Sequence, residues 1–176
     1  MTFQDREALL AYARTCVENS LEGREIPIMK NPSPDLAGPG AVFATLLSEG
    51  DLRGCIGRLE ETEPLWKCVK EMVVAAATRD HRFSPLKKGE PFTIELSILS
   101  PPFLITPEEI KIGTHGLVAE LKKNRGVLLP HVATKNNWTP VQFLHHTILK
   151  AALPLTVVDN PEFILRAFTT DLISEI

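Results

Sequence analysis

The spacing of apolar side chains predicts α-helices in three stretches of the chain. In residues 3–21 apolar side chains recur at the period of an α-helix. Thr2 is positioned to cap that helix and Gly23 to end it. A second helix is predicted over residues 62–78, where a proline stands early enough to be tolerated. A third is predicted over residues 139–153, opened by a capping box.

Shorter apolar runs predict β-strands, and most of them are arranged as hairpins. The first two strands are joined by a turn at residues 48–51, and a later pair by residues 122–124. Residues 31–40 are rich in proline and glycine and are predicted to form a loop without regular structure. Hairpins with helices between them favour an α+β fold, mainly an antiparallel sheet with helices packed on it. The predicted strands are residues 41–47, 52–57, 92–99, 115–121, 125–132 and 162–168.

Composition narrows the class of protein. The 176 residues are expected to form a single domain, residues 1–176, with 44% apolar content. A net charge of −3 argues against nucleic acid as a partner. No apolar run approaches the length of a membrane span, and the start of the chain is charged, unlike a secretion signal. Three cysteines without a C-x-x-C pair predict free thiols and a cytoplasmic location. No metal-ligand motif and no glycine-rich phosphate loop is present, so we expect no metal and no cofactor.

The segment 52–57, with the sequence LRGCIG, is the strongest candidate for chemistry. Strict alternation would place Leu52 and Ile56 on the core face, and Arg53 and Cys55 on the other face. Arg53 would then favour the thiolate form of Cys55, which is the nucleophilic form. The alternative is that Cys55 is a small buried side chain, because free cysteine is among the most buried residue types. Glycines at positions 54 and 57 indicate a bulge or a close backbone approach.

LRGCIG resembles the signature hexapeptide of the AMMECR family. The resemblance continues through further blocks in order, so that it covers nearly the whole chain. Ile148 stands where the family often has a cysteine, which leaves Cys55 as the cysteine within the motifs. The further blocks are AATRDHRF at 76–83, TIELSILSPP at 93–102, HGL at 115–117, LLPHVA at 128–133 and KAALP at 150–154.

The resemblance implies a fold and a cellular context more than a reaction. Members of the family are similar to two-lobed α+β proteins whose lobes share a cleft. Bacterial and archaeal relatives often accompany a Memo-like protein and a radical-SAM protein, which implies a shared pathway and possible partners. The resemblance also raises the expectation that Cys55 belongs to a site, because functional residues concentrate at such positions.

The other candidate residues each have a structural alternative. Arg79 and Arg82, in the segment 78–82, are candidates for binding a carboxylate or phosphate. The alternative is that they offset the helix dipole, with Asp80 pairing one of them. Glu95 is a candidate general base, or a partner that orients an arginine. His115 is a candidate base for Cys55, although most isolated histidines are surface or capping residues.

Two functions follow from these residues. The first is an enzyme that acts on a small anionic substrate in a cleft centred on Cys55, with Glu95 or His115 handling protons. The second is a non-catalytic binding or adaptor domain for a Memo-like or radical-SAM pathway protein, favoured by the absence of a complete catalytic set. The substrate-binding side of the first hypothesis is predicted to include Arg53, Gly54, Gly57, Thr78, Arg79, Asp80 and Arg82.

Overall fold

The structure, a computed structural model, describes residues 1–175 and divides into two compact units. Unit 1 contains residues 1–99 and the segment from Asp171 onward, and unit 2 contains residues 100–170. The helices are α1 (Phe3–Leu21), α2 (Pro34–Ala37), α3 (Leu65–Thr78), α4 (Pro130–Lys135) and α5 (Pro140–Lys150). The strands are β1 (Ala41–Ser48), β2 (Asp51–Gly57), β3 (Thr93–Leu99), β4 (Phe103–Leu104), β5 (Gly116–Leu121), β6 (Asn124–Leu128), β7 (Ile164–Phe168) and β8 (Thr170–Ser174).

Unit 1 is a four-stranded sheet with helices on one face. The strand order is β2-β1-β3-β8, and β1 pairs antiparallel with both β2 and β3. Val42, Ala44 and Leu46 on β1 are fully buried and form one apolar face of the sheet. They share a core with Leu9 of α1 and Val69 of α3, so both helices cover this face. Strand β2 lies at the edge of the sheet, which leaves one side of its backbone without a neighbouring strand.

Unit 2 is a second four-stranded sheet with its own core. The strand order is β4-β7-β5-β6, and all of these neighbours are antiparallel. Helix α5 packs on β5 and β6, with Phe143 and Ile148 fully buried. They belong to one apolar cluster with Leu117 of β5 and Ala167 of β7. The structure therefore confirms the predicted α+β fold, with two antiparallel sheets in place of one.

The helices and hairpins were largely predictable from the sequence. Thr2 caps helix α1, as predicted, and Asp5 completes a capping box with it that the prediction did not include. The segment 31–40 was wrongly predicted to lack regular structure, because Ser33 caps the short helix α2. The strand predicted to end at residue 132 ends at Leu128, because Pro130 opens α4. The third helix ends at Lys150 and not at 153, and strand β8 had no counterpart in the prediction.

A β-bulge in the first hairpin corrects the predicted faces of β2. Leu47 pairs with Leu52, but Leu46 pairs with Gly54, so Arg53 is an extra residue. The extra residue changes which side chains share a face. Leu52 lies with Leu47 on the face away from the core and is 44% exposed, so its predicted place beside Ile56 is wrong.

No helix among residues 1–175 is both long enough and apolar enough to cross a membrane.

Candidate functional site

Cys55 lies on the face of the unit 1 sheet that does not carry the buried β1 residues. Its register partner is Thr45 on β1, and the register partner of Thr45 on β3 is Glu95. The three side chains therefore form one row across three strands, with the outer Cα atoms about 10 Å apart. Thr45 Oγ1 lies 3.3 Å from Cys55 Sγ, within hydrogen-bond distance for a sulfur acceptor. All three residues are half-buried, in contrast to the buried Cys16 and Cys68.

The backbone of Cys55 is bound by two residues that follow α3. The Cys55 amide donates a hydrogen bond to Asp80 Oδ2 at 2.8 Å, and Arg82 Nη2 donates to the Cys55 carbonyl at 3.0 Å. Arg82 also donates to both carboxylate oxygens of Asp80, from Nε at 3.0 Å and Nη2 at 2.7 Å. Arg82, and not Arg53 as predicted, is thus the guanidinium that contacts Cys55.

The charges of this pair are mutually stabilised. The hydrogen bond from Arg82 is the main cause that holds the pKa of Asp80 far below its ordinary value; burial opposes it, and the Cys55 amide adds to the lowering. The pKa of Arg82 is raised, chiefly by its hydrogen bond to Asp80, while burial opposes the shift and the Cys55 side chain adds to it. Asp80 is therefore a carboxylate at neutral pH, and its side chain is only 6% exposed.

The two glycines of the hexapeptide allow close packing. A Cβ atom on Gly54 would lie 2.3 Å from the carbonyl oxygen of Ala76 in α3, closer than real atoms approach. A Cβ atom on Gly57 would lie 2.3 Å from Cγ of Phe43. Gly54 therefore admits the end of α3 against β2, and Gly57 admits an aromatic ring on the Cys55 face. These contacts account for both glycines without a ligand.

Arg53, the bulged residue, is bound to the loop that follows α3. Its Nε and Nη2 donate to the two carboxylate oxygens of Glu90 at 2.5 and 3.3 Å. Its Nη1 donates to the carbonyl of Ser84 at 2.8 Å, and its Nη2 lies 3.3 Å from the carbonyl of Pro85. Glu95 was expected to be a possible partner of Arg53, but Glu90 takes that place. Arg53 is the anchor of this loop.

The two remaining residues of the 78–82 segment differ in their availability. Thr78 uses its hydroxyl to donate to the carbonyl of Val74, one helical turn earlier, at 2.7 Å. Arg79 is exposed, directly after the last residue of α3. Within residues 1–175 its side chain makes no hydrogen bond or ion pair, so its guanidinium is free to bind an anion.

His115 lies in unit 2, immediately before β5. Its side chain is buried, and its Nδ1 accepts a hydrogen bond from the Lys111 amide at 3.3 Å. The ring of Phe103 meets it edge to face, with centroids 5.8 Å apart. Burial is the main cause that lowers the pKa of His115, with Lys111 adding to the effect and Glu109 opposing it. His115 is therefore neutral at pH 7, with Nδ1 as the acceptor.

The other two cysteines are buried and differ from Cys55 in this respect. Cys16 in α1 and Cys68 in α3 are within the unit 1 core, and burial is the main cause that raises the pKa of each. All three cysteines are free thiols. No group of three or more His, Cys, Asp or Glu side chains in the described part of the chain is arranged to hold a metal ion.

Two residues of this site were missed by sequence reasoning. The sequence predicts Thr45 only as a strand residue. Pairing counted back from the turn would place Thr45 opposite Gly54, but the bulge at Arg53 shifts the register and places it opposite Cys55. Glu90 lies in a loop without periodicity and gave no signal. Alternation within β2 was the only pattern that could have been used, and the bulge breaks it.

Comparison with known proteins places the whole chain in one family. The AMMECR1 family model matches residues 10–173, which include most of both units. A protein of Aquifex aeolicus is 36% identical over 97% of this chain and 93% of its own length. A protein of Methanocaldococcus jannaschii is 39% identical over 88% of this chain and 82% of its own length. The crystal structure of protein PH0010 from Pyrococcus horikoshii superposes with a TM-score of 0.91 at 32% identity, covering 98% of this chain and 92% of that chain. This chain belongs to the AMMECR1 family.

Proposed function

We propose that this protein is an enzyme that acts on a small anionic substrate, with Cys55 as the nucleophile or covalent anchor. The observation that carries the proposal is a thiol on a half-buried residue, within hydrogen-bond distance of the Thr45 hydroxyl, whose backbone carbonyl is bound by the Arg82 guanidinium. A hydroxyl donor and an arginine side chain are groups that bind negative charge developing at a reacting atom. Cys16 and Cys68, by contrast, are buried.

The residues around Cys55 supply separate parts of such a reaction. The thiol proton would pass to a base as the sulfur forms a bond to the substrate. Glu95 is the proposed base, and the proton would reach it through the Thr45 hydroxyl, because Thr45 lies between Cys55 and Glu95 in the same row. Arg79 is the proposed anion-binding residue, because its exposed guanidinium has no partner within residues 1–175. A role for His115 as a base stays a prediction.

One contact restricts the kind of reaction. Nucleophilic hydrolases often use the amide of the nucleophile itself to bind the developing oxyanion. The Cys55 amide donates to Asp80 instead. The proposed chemistry is therefore addition of the thiol across a double bond of an anionic substrate whose charge is bound by an arginine, and not acyl transfer supported by the Cys55 amide. The sulfur–carbon bond forms as the π bond breaks, and the proton removed from the thiol is returned to the other atom of that double bond. The three free thiols support a reducing, cytoplasmic compartment as part of the same proposal.

Two alkylating reagents of nearly equal size test this proposal. Iodoacetate carries a carboxylate and iodoacetamide does not, and both transfer their carbon to sulfur with loss of iodide. We expect the ratio of the iodoacetate rate to the iodoacetamide rate at Cys55 to be about tenfold higher in the native protein than in urea. The reason is that the positively charged Arg79 side chain would raise the local concentration of the anionic reagent. Mass spectrometry assigns each adduct to its cysteine. Arg79→Gln should lower the ratio, whereas Arg24→Gln, another exposed arginine of unit 1, should leave it unchanged. An equal ratio in the native and unfolded chains would remove the anionic substrate from the proposal.

A non-catalytic binding domain is the second candidate, favoured by an exposed apolar surface in unit 2. Leu104 is 74% exposed, and Val158 and Ile164 are exposed beside it. These side chains line a cavity of about 280 Å³. A Memo-like or radical-SAM pathway protein is the proposed partner. Co-purification with such a protein that is lost in Leu104→Glu and retained in Cys55→Ser would favour this candidate over the enzyme.

A further inference from the structure

At Cys55 the outward-facing backbone groups of edge strand β2 are hydrogen-bonded by side chains, in place of a neighbouring strand. At Cys55 both backbone groups that point away from β1 are bound, the amide by Asp80 and the carbonyl by Arg82. In the interior of a sheet these two groups would pair with a neighbouring strand. Asp80 and Arg82, which we call the clamp, take the place of that strand at Cys55.

The clamp is held together by more bonds than a surface ion pair requires. Two side-chain nitrogens of Arg82 donate to the two oxygens of Asp80, and the Arg82 amide donates to Oδ1 at 3.1 Å. Bidentate pairs of this kind fix geometry as well as distance. The Asp80 side chain is buried, whereas that of Arg82 is 58% exposed. The buried carboxylate is therefore the fixed part and the arginine closes over it.

The LRGCIG segment itself places the clamp within hydrogen-bond distance of Cys55. Gly54 has no Cβ, and only for that reason can the carbonyl of Ala76 lie against it. Helix α3 ends at Thr78, and Asp80 follows two residues later. Gly54 therefore sets where α3 ends relative to β2, and Asp80 then reaches the amide of the next residue, Cys55. The position of Asp80 at the Cys55 amide therefore depends on the packing of α3 against Gly54.

We propose that Asp80 and Arg82 are positioning residues for Cys55, which fix its backbone so that its sulfur stays against the Thr45 hydroxyl. This proposal rests on the proposed function of Cys55 and reassigns both residues from substrate binding. The clamp makes contact with the backbone of Cys55, so its effect reaches the thiol through the strand. Loss of the clamp should free the strand edge and expose the thiol.

The matched control for this proposal is Glu175, which has the same contacts at another place in unit 1. Glu175 Oε2 accepts a hydrogen bond from the Ile94 amide at 2.8 Å, and both of its oxygens are bound by Arg14 at 2.6 Å. Asp80→Asn and Glu175→Gln each remove one charge from a carboxylate that holds a strand amide and an arginine. Both variants should lower the midpoint of thermal unfolding.

Hydrogen exchange of the Cys55 amide and the iodoacetamide rate at Cys55, measured at the pH where the rate is maximal, separate the two variants. We expect Asp80→Asn to raise each about tenfold, the factor that corresponds to loss of a hydrogen bond to a charged group. Glu175→Gln should leave both within about twofold of wild type. Arg82→Lys, which keeps the charge but loses the fork, should fall between them. Unchanged values in Asp80→Asn and Arg82→Lys, or the same increase in Glu175→Gln, would overturn the proposal. Iodoacetamide is neutral, so failure of the anionic substrate would not alter this result.

Discussion

In each unit a glycine allows a helix to pack closely against an edge strand. The units differ in the hydrogen bonds that join the helix end to that strand. In unit 1 a Cβ on Gly54 would meet the carbonyl oxygen of Ala76 at 2.3 Å, and in unit 2 a Cβ on Gly126 would meet that of Thr147 at 2.4 Å. Only the first of these glycines belongs to the LRGCIG segment that contains Cys55. A glycine in this place is therefore a packing feature and does not by itself indicate chemistry.

What distinguishes unit 1 is the charged connection beyond the glycine. In unit 2 the edge strand and the helix end are joined by a neutral bond, from Asn124 Nδ2 to the carbonyl of Ala151 at 3.1 Å. In unit 1 the connection is the clamp of Asp80 and Arg82, and it ends on the backbone of a half-buried cysteine. The glycines therefore have a packing role in both units, whereas the charged clamp on a cysteine backbone is found in unit 1.

The largest expected effect is the loss of stability when either packing glycine gains a side chain. Gly54→Ala and Gly126→Ala should each lower the free energy of unfolding by about 3 kcal/mol, because the added methyl group meets backbone that cannot move alone. Gly38→Ala is the control, since its Cβ would lie 3.2 Å from the Pro34 carbonyl oxygen and needs only a small adjustment. Urea denaturation measures all three. A loss below about 1 kcal/mol for either glycine would show that its helix is not held as closely as the structure indicates.

Acid stability should depend on the clamp in unit 1. The folded pKa of Asp80 is lowered, so its stabilising effect is complete above the unfolded aspartate pKa of about 3.9 and is lost as the pH falls through the folded value. Asp80→Asn should lower the free energy of unfolding by about 2 kcal/mol at pH 7. The difference between the variant and wild type should shrink below pH 4. Fluorescence of Trp66, which lies in unit 1, measures this in a Trp138→Phe background. A difference that is constant from pH 7 to pH 2 would contradict the role of the Asp80 charge.

Unit 2 should respond to pH in a different range through His115. Its folded pKa is lowered, so protonation is easier in the unfolded chain, and the stability of unit 2 should fall as the pH drops below about 6.5. His115→Asn, which keeps an acceptor near the Lys111 amide, should remove this pH dependence. Fluorescence of Trp138 in a Trp66→Phe background measures it. An unchanged slope between pH 5 and 7 in the variant would assign the effect to other groups.

The smallest expected loss of stability comes from breaking the ion pair between Arg53 and Glu90, which holds the loop after α3. Glu90→Gln removes the charge that pairs with Arg53, and both side chains are partly exposed. Such pairs contribute about 0.5–1 kcal/mol, so the loss of stability should be small and should decrease with added salt. The alkylation rate of Cys55 should not change, because the clamp is intact. A change in that rate as large as in Asp80→Asn would extend the positioning role to Arg53.

Sequence reasoning reached the elements but not the contacts that build the site. The hairpin of β1 and β2 and the helix α3 were predictable because periodicity and turn residues are local. The face of Leu52 was not, since a bulge at Arg53 is invisible to strict alternation. The partners of Cys55 were missed for another reason. Asp80 lies 25 positions away, and only the packing of α3 on Gly54 brings it to the Cys55 amide.

The alkylation rate of each cysteine in the native protein as a function of pH tests the proposed role of Cys55 most directly. Mass spectrometry identifies the modified residue, and the unfolded chain supplies the reference rate. We expect Cys55 to react in the folded protein, while Cys16 and Cys68 stay protected until unfolding because both are buried. If Cys55 is as protected as the other two, its thiol belongs to the packing of unit 1, and the proposed enzyme is contradicted.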